Sequence, residues 1–288
     1  MPQSIHPETS LGQIRLKVGD LDRSIRFYRE VIGFGLLDRS GNTADLTVDG
    51  RRTFLVLEEI PDAAAIPRRR ATSGLYHFAI LVPDRERLGL SLRNLIRFGI
   101  QVGQGDHLVS EALYLSDPDN NGIEIYRDRP RSEWRKDAAG NYVMGTEPVD
   151  IQGLLQASEN ATWNRLSPDT VLGHIHLHVA DLAVARAYYC DTLGFDLVAD
   201  ASKMGALFVS AGGYHHHIGL NIWAGVGAPP APANAAGLAY YTIAVPTGDE
   251  LVRIAGKLNE AGYPVVREKD ALIATDPFGI EIRWIVGG

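Results

Sequence analysis

Four stretches of the chain read as strands, each followed by a segment that suits a helix, and two of them alternate apolar and polar residues with a period of two. In the clearest of them, Gly173 to Val179, His174, His176 and His178 alternate with Ile175, Leu177 and Val179. A strand sends alternate side chains to opposite faces, so one face carries three imidazoles and the other only aliphatics. In the first stretch Ile14, Leu16 and Val18 form the apolar face, and Gln13, Arg15 and Lys17 form the polar one. The other two begin at Gly74 (G-L-Y-H-F-A-I-L-V-P) and Gly237 (G-L-A-Y-Y-T-I-A-V-P). The predicted helices cover about 21–31, 85–98, 182–190 and 250–261. Asp181 is a suitable N-cap for the third, and Gly99, Gly194 and Gly262 stand where helices stop. Further short strands are expected near Asp45–Val48 and Thr53–Glu58, through A-L-Y-L-S-D-P-D-N-N-G-I-E-I-Y (112–126), through A-L-F-V-S (206–210) and G-L-N-I-W (219–223), and in the closing L-I-A-T-D-P-F-G-I-E-I-R-W.

The four units are related in pairs. Gln13 and His174, Asp20 and Asp181, Tyr28 and Tyr189, and Gly33-Phe34 and Gly194-Phe195 are each separated by 161 positions, with no gap. The second and fourth units match at Gly74 and Gly237, Pro83 and Pro246, Gly99 and Gly262, and in G-I-E-I (122–125 and 279–282). A constant offset is the mark of an internal repeat. The expected division is an N-terminal domain over 1–128, a connector over 129–170 that is partly helical near 151–158, and a C-terminal domain over 171–288. Pro130, Pro148 and Pro168 fall in the connector. Arg68-Arg69-Arg70, in the loop after the first unit, reads as a solvated turn.

Composition narrows the picture. With 288 residues and 45% apolar content, the chain can build two cores. A net charge of -7 disfavours nucleic acid and anionic membranes as partners. Met1 to Ser10 lacks the apolar core of a signal peptide, and no apolar run reaches the ~20 residues that span a bilayer. The single cysteine, Cys190, cannot form an intrachain disulfide, which suits a reducing cytoplasm.

Four strand-helix-strand-strand-strand units, with the phrase D-L, helix, F/Y-Y, L-G-F, resemble the vicinal oxygen chelate superfamily of glyoxalase I, bleomycin-resistance proteins and extradiol dioxygenases. Y-H-H-H-I-G-L-N-I-W together with D-P-D-N-N-G-I-E-I-Y is similar to the catechol 2,3-dioxygenase branch. The resemblance implies an α+β fold: four βαβββ modules forming two cup-shaped half-barrel sheets with helices outside. It places metal ligands on the first and last strand of each module. The first-strand slots are Gln13, His77, His174 and Tyr240. The last-strand slots are Leu57 or Glu58, then Glu124, Asn221 and Glu281. Only modules two and three hold a full set, His77, Glu124 and His174. Two imidazoles and a carboxylate form the facial triad of non-haem Fe(II) sites, with Mn(II) the other candidate. Modules one and two alone, or three and four alone, leave the triad incomplete, so module two is expected to pair with module three, within a chain or across a homo-oligomer.

The same resemblance implies that His216 moves a proton, that Tyr114 hydrogen-bonds the substrate, and that His107 is a further site histidine. Strand parity with Asn221 favours His217 over His216, whereas the family pattern favours His216. His176 and His178 are read as structural. Phe208, Trp223, Tyr126 and Trp163 are unranked candidates for the aromatic wall. The function implied is an extradiol dioxygenase that opens a catechol-type ring with O2. A glyoxalase-like isomerase would need a second carboxylate where Asn221 stands. A metal-free binding protein of the same fold would need no triad.

Overall fold

The computed structural model describes residues 4–64, 71–269 and 271–287, so Arg68-Arg69-Arg70 lie outside the described residues. Module one comprises β1 (Ser10–Val18), α1 (Leu21–Arg26), which widens into a π-helical turn (Phe27–Ile32), β2 (Gly35–Ser40), β3 (Thr43–Thr47) and β4 (Leu55–Glu59). Module two comprises β5 (Gly74–Leu81), α2 (Arg85–Arg97), β6 (Gly103–Asp106), β7 (Ser110–Ser116) and β8 (Gly122–Asp128). After α3 (Ile151–Ala157), module three runs through β9 (Val171–His178), α4 (Leu182–Arg186) with a π-helical turn (Ala187–Thr192), β10 (Asp196–Ala201), β11 (Ala206–Ser210) and β12 (Ile218–Asn221). Module four has β13 (Gly237–Val245), α5 (Gly248–Glu260), β14 (Val265–Glu268), β15 (Ala271–Thr275) and β16 (Glu281–Val286).

Local chemistry explains the helix ends. The side chains of Asp20, Asp84, Asp181 and Thr247 each accept from a backbone N–H in the first turn of the helix that follows. Capped by Thr247, α5 begins at Gly248, two residues before the expected Glu250. Gly33 ends the first helix in the left-handed region (φ 102), where Gly carries no Cβ penalty. The π-helical widening in modules one and three was not expected. A 3.6-residue periodicity cannot register one extra residue per turn at the end of a short helix. Both turns carry a fully buried tyrosine, Tyr28 and Tyr189.

The strands form two eight-stranded sheets, one with the order β14-β15-β16-β13-β1-β4-β3-β2 and the other β10-β11-β12-β9-β5-β8-β7-β6. Within each module the first strand runs parallel to the last. Modules join through antiparallel first strands, β1 with β13 and β5 with β9. One cup is therefore built from modules one and four, the other from modules two and three. Each draws on both 1–128 and 171–288. On β1, Ile14, Leu16 and Val18 are fully buried beneath the helices, while Gln13, Arg15 and Lys17 are half-buried on the opposite face.

Chain-adjacent modules are joined differently. Tyr28 of module one donates its hydroxyl to Asp117 of module two (2.9 Å), and Tyr189 of module three donates to Asp276 of module four (2.9 Å). Both aspartates open the D-P turn before the last strand, and both also accept backbone N–H groups of that turn. Burial raises Asp117, and it pushes Asp276 up to about 6 against the hydrogen bonds it accepts. Sheet pairing ties modules two and three, and these buried bonds tie one to two and three to four. Among the described residues no helix is long and apolar enough to cross a bilayer.

Candidate metal centre

The floor of the second cup is two adjacent rows of registered side chains. In one row Tyr114 on β7 faces Glu124 on β8, Glu124 faces Ala79 on β5, and Ala79 faces His174 on β9. In the next row Gly122 faces His77, His77 faces His176, His176 faces Gly219 and Gly219 faces Phe208. Neighbouring strands lie about 4.8 Å apart, so β8 and β9, with β5 between them, are roughly twice that apart. Glu124 and His174 reach inward over the small Ala79, and their Oε2 and Nε2 meet at 2.9 Å. His77 Nε2 lies 3.0 Å from the same oxygen.

The glycines in the second row make room for imidazoles. A Cβ on Gly219 would stand 2.8 Å from the His176 ring, and one on Gly122 would stand 2.1 Å from the Tyr76 carbonyl and 3.0 Å from the His77 Cβ. His176 packs against His77 (ring centroids 5.1 Å), Phe208 and Trp223. His178 Nδ1 meets Asn221 Oδ1 at 2.7 Å, and that oxygen also accepts the Trp223 N–H. Asn221 is thereby occupied away from the triad.

One ligand atom each from His77, Glu124 and His174 lies within 4.8 Å of the other two, and all three residues are buried. His77 Nε2 is buried without a hydrogen-bond partner despite its closeness to Glu124, because the contact is not aligned for a hydrogen bond. Among the described residues, the ion-pair partners of Glu124 are these two histidines. Burial works to raise Glu124, but His174 and His77 outweigh it and hold the carboxyl well below its usual range. Burial lowers His174, with only partial opposition from Glu124. An ionised carboxylate beside a neutral imidazole is the protonation state a divalent cation needs. The donor set, the partnerless His77 nitrogen and the buried anion together fit a metal ion.

A second layer surrounds the triad. Tyr114 and His107 meet at 2.6 Å (Oη to Nε2), and His107 Nδ1 donates to the Gly145 carbonyl at 2.8 Å. With that tautomer, the Tyr114 hydroxyl donates to His107. Burial and the nearby Glu124 carboxylate keep Tyr114 well above the usual phenol range. His216 lies against His174, with ring centroids 4.1 Å apart, and burial among histidines holds it well below the usual imidazole range. His217 turns instead toward Ser210 Oγ (3.0 Å) and the Ala211 N–H (3.2 Å), and burial pushes it down to about 3. Tyr126 packs on the His174 ring, and its hydroxyl is 2.7 Å from that of Tyr214. An open cleft of about 1130 Å³ reaches the site past Tyr76, His77, Tyr114, His178 and Trp223.

The Glyoxalase/Bleomycin resistance protein/Dioxygenase superfamily matches residues 10–125 and 171–283. The chain belongs to this superfamily. Among superfamily relatives, it is 55% identical over 284 residues to the catechol-2,3-dioxygenase of Bacillus subtilis (strain 168), covering 98% of this chain and 99% of that protein. Glyoxalase I from Zea mays shares the fold at a TM-score of 0.58 and 16% identity, covering 97% of this chain and 92% of its own. A solved protein of Bacillus subtilis subsp. subtilis str. 168 does so at a TM-score of 0.67 and 12% identity, covering 99% and 86%.

The structure gathers His77, Glu124, His174, Tyr114, His107 and His216 around one cup. Of the four aromatic candidates, Phe208, Trp223 and Tyr126 lie there. Trp163 does not: it packs where a Cβ on Gly33 would stand, 2.6 Å from its ring, below the first helix. Among the described residues, the first cup brings no such ligand set together. Gln13 donates to the Tyr240 hydroxyl (3.2 Å), Arg15 pairs with Glu58 (2.9 Å), and Glu281 pairs with Arg283 (2.7 Å). Sequence reasoning missed Asp128, Ala79 and the connector. Trp134 and Gly145 of that connector contact His215 and His107 at the edge of the cup. Pro-rich composition alone does not show that a connector closes a site.

Proposed function

We propose that the chain is an extradiol dioxygenase that opens the ring of a catechol-type substrate with O2, beside rather than between the two hydroxyls. The observation that carries this reading is the buried set His77, Glu124 and His174, converging from two modules. The full-length similarity to a catechol-2,3-dioxygenase supports it. His77, Glu124 and His174 would hold Fe(II), three protein ligands leaving positions for a vicinal diol and dioxygen. Bound Fe(II) supplies Lewis acidity toward the diol oxygens and one-electron chemistry toward dioxygen.

The remaining steps belong to the side chains. Neutral His216 accepts a proton as the diol ionises, and later returns it. Tyr114 donates to His107, so the lone pairs of its oxygen are free to accept a hydrogen bond from a substrate hydroxyl. Phe208 and Trp223, packed on His176, give the ring an apolar wall. Asn221, bonded to His178 and Trp223, does not present the second carboxylate that an isomerase of this fold would use. The lone cysteine, Cys190, fits a cytoplasmic setting.

The test is to load the purified chain anaerobically with Fe(II), add catechol, and then admit oxygen. The expected result is stoichiometric oxygen uptake with a coloured ring-opened product, abolished by iron removal and restored by Fe(II). Full iron loading without oxygen uptake on any catechol of a substituted panel would refute the reading.

A further inference from the structure

A polar chain runs from the rim of the cup to His216. Asp128 Oδ1 lies 2.8 Å from His215 Nε2, and His215 Nδ1 lies 2.8 Å from His216 Nδ1. Asp128 is the last residue of β8, four positions beyond Glu124. His215 is fully buried, and Trp134 from the connector packs on its ring (centroids 5.1 Å). The Tyr214 hydroxyl donates to the same Asp128 oxygen (3.3 Å), which steadies the carboxylate.

For imidazoles that each carry one hydrogen, donor and acceptor counting fixes the proton positions along this chain. An ionised carboxylate only accepts, so His215 Nε2 carries the hydrogen. His215 with its one hydrogen on Nε2 then presents a bare Nδ1. Two bare nitrogens 2.8 Å apart would repel, so His216 Nδ1 must carry the hydrogen between them. Neutral His216 is left with a bare Nε2. The opposite tautomer would place a hydrogen on the nitrogen that has to accept one.

We infer that Asp128 and His215 are a positioning pair that holds His216 as the Nδ1–H tautomer, with Nε2 free to take the substrate proton. The inference rests on the dioxygenase reading for the role of that proton, but the tautomer itself stands or falls separately. The arrangement also explains three consecutive histidines by a division of labour. His215 holds, His216 faces the triad, and His217 bonds to Ser210 at its back.

Two measurements test it. In the full chain, metal-free and zinc-loaded, two-bond nitrogen–proton NMR correlation reports which imidazole nitrogen of His216 is protonated. Loss of the signal in His216→Ala provides the assignment. The expected pattern is Nδ1–H, and an Nε2–H pattern overturns the inference whatever the activity. In the Fe(II)-loaded enzyme, His215→Leu removes the acceptor, whereas His215→Asn returns an amide oxygen close to where Nδ1 stood. The expected result is kcat lowered about 10- to 100-fold in His215→Leu with KM within about twofold, and kcat largely recovered in His215→Asn. Equal losses in both variants, or no loss in either, overturn the positioning role. A wild-type chain that shows Nδ1–H on His216 but turns over no catechol would refute the proposed function and leave the tautomer assignment standing.

Discussion

The buried Asp276 makes the chain less stable as pH rises, and the size of the effect follows from its surroundings. Asp276 is 4% exposed, at the D-P turn that joins module four to Tyr189 of module three. Burial dominates, so the group sits near 6 rather than its ordinary 3.8, even though it accepts from the Phe278 and Ile280 N–H groups and from the Tyr189 hydroxyl. An acid raised by folding binds more protons folded than unfolded, so stability falls as pH climbs from about 4 to about 6 and then levels off. A shift of roughly two units at 1.36 kcal/mol each amounts to about 3 kcal/mol. Asp276→Asn keeps an oxygen for the two N–H groups and cannot ionise. The assay is urea unfolding of wild type and variant at intervals from pH 4 to pH 8. Subtracting the two curves cancels every other titrating group. The variant should gain on wild type by up to about 3 kcal/mol between pH 4 and pH 7. For a chain of this size the unfolding entropy is about 0.6 kcal/mol/K, so that gain corresponds to roughly 5 °C in Tm. A difference that is flat with pH, or that shrinks as pH rises, would refute the reasoning.

Three further outcomes are expected. Ala79→Leu should fill the space over which Glu124 and His174 meet, costing about 1–3 kcal/mol of stability and at least tenfold in iron affinity, measured by unfolding and by metal titration. Glu124→Gln should abolish stoichiometric iron binding, whereas Glu281→Gln, which alters only a pair with Arg283 in the other cup, should leave iron content unchanged on elemental analysis. His216→Ala should retain iron and lose about 10²–10⁴-fold in kcat, while His217→Ala should stay within a few-fold, and the reverse order would mean that strand parity was the better guide.

Much of this molecule is legible along the chain because its signals are local. A two-residue alternation is a property of the strand itself, so Ile14, Leu16 and Val18 could be assigned to the buried face without knowing what covers them. Caps and terminating glycines act within one turn, which is why Asp181 and Gly194 mark the third helix. The offset of 161 residues exposed the repeat, and the ligand slots implied by the family resemblance singled out His77, Glu124 and His174, whose ligand atoms the structure brings together. What the chain could not express was decided by contacts between distant segments. Whether β5 lies beside β9 of the same molecule or of another depends on which edges meet after the modules fold, and no module carries that in its own periodicity. Ala79 reads as an ordinary core alanine until Glu124 and His174 are seen to reach across it. His215 gains its role only when β8 brings Asp128 to its ring, 87 residues earlier in the chain. Such contacts are set by register and packing across the sheet, so they exist only in the tertiary structure.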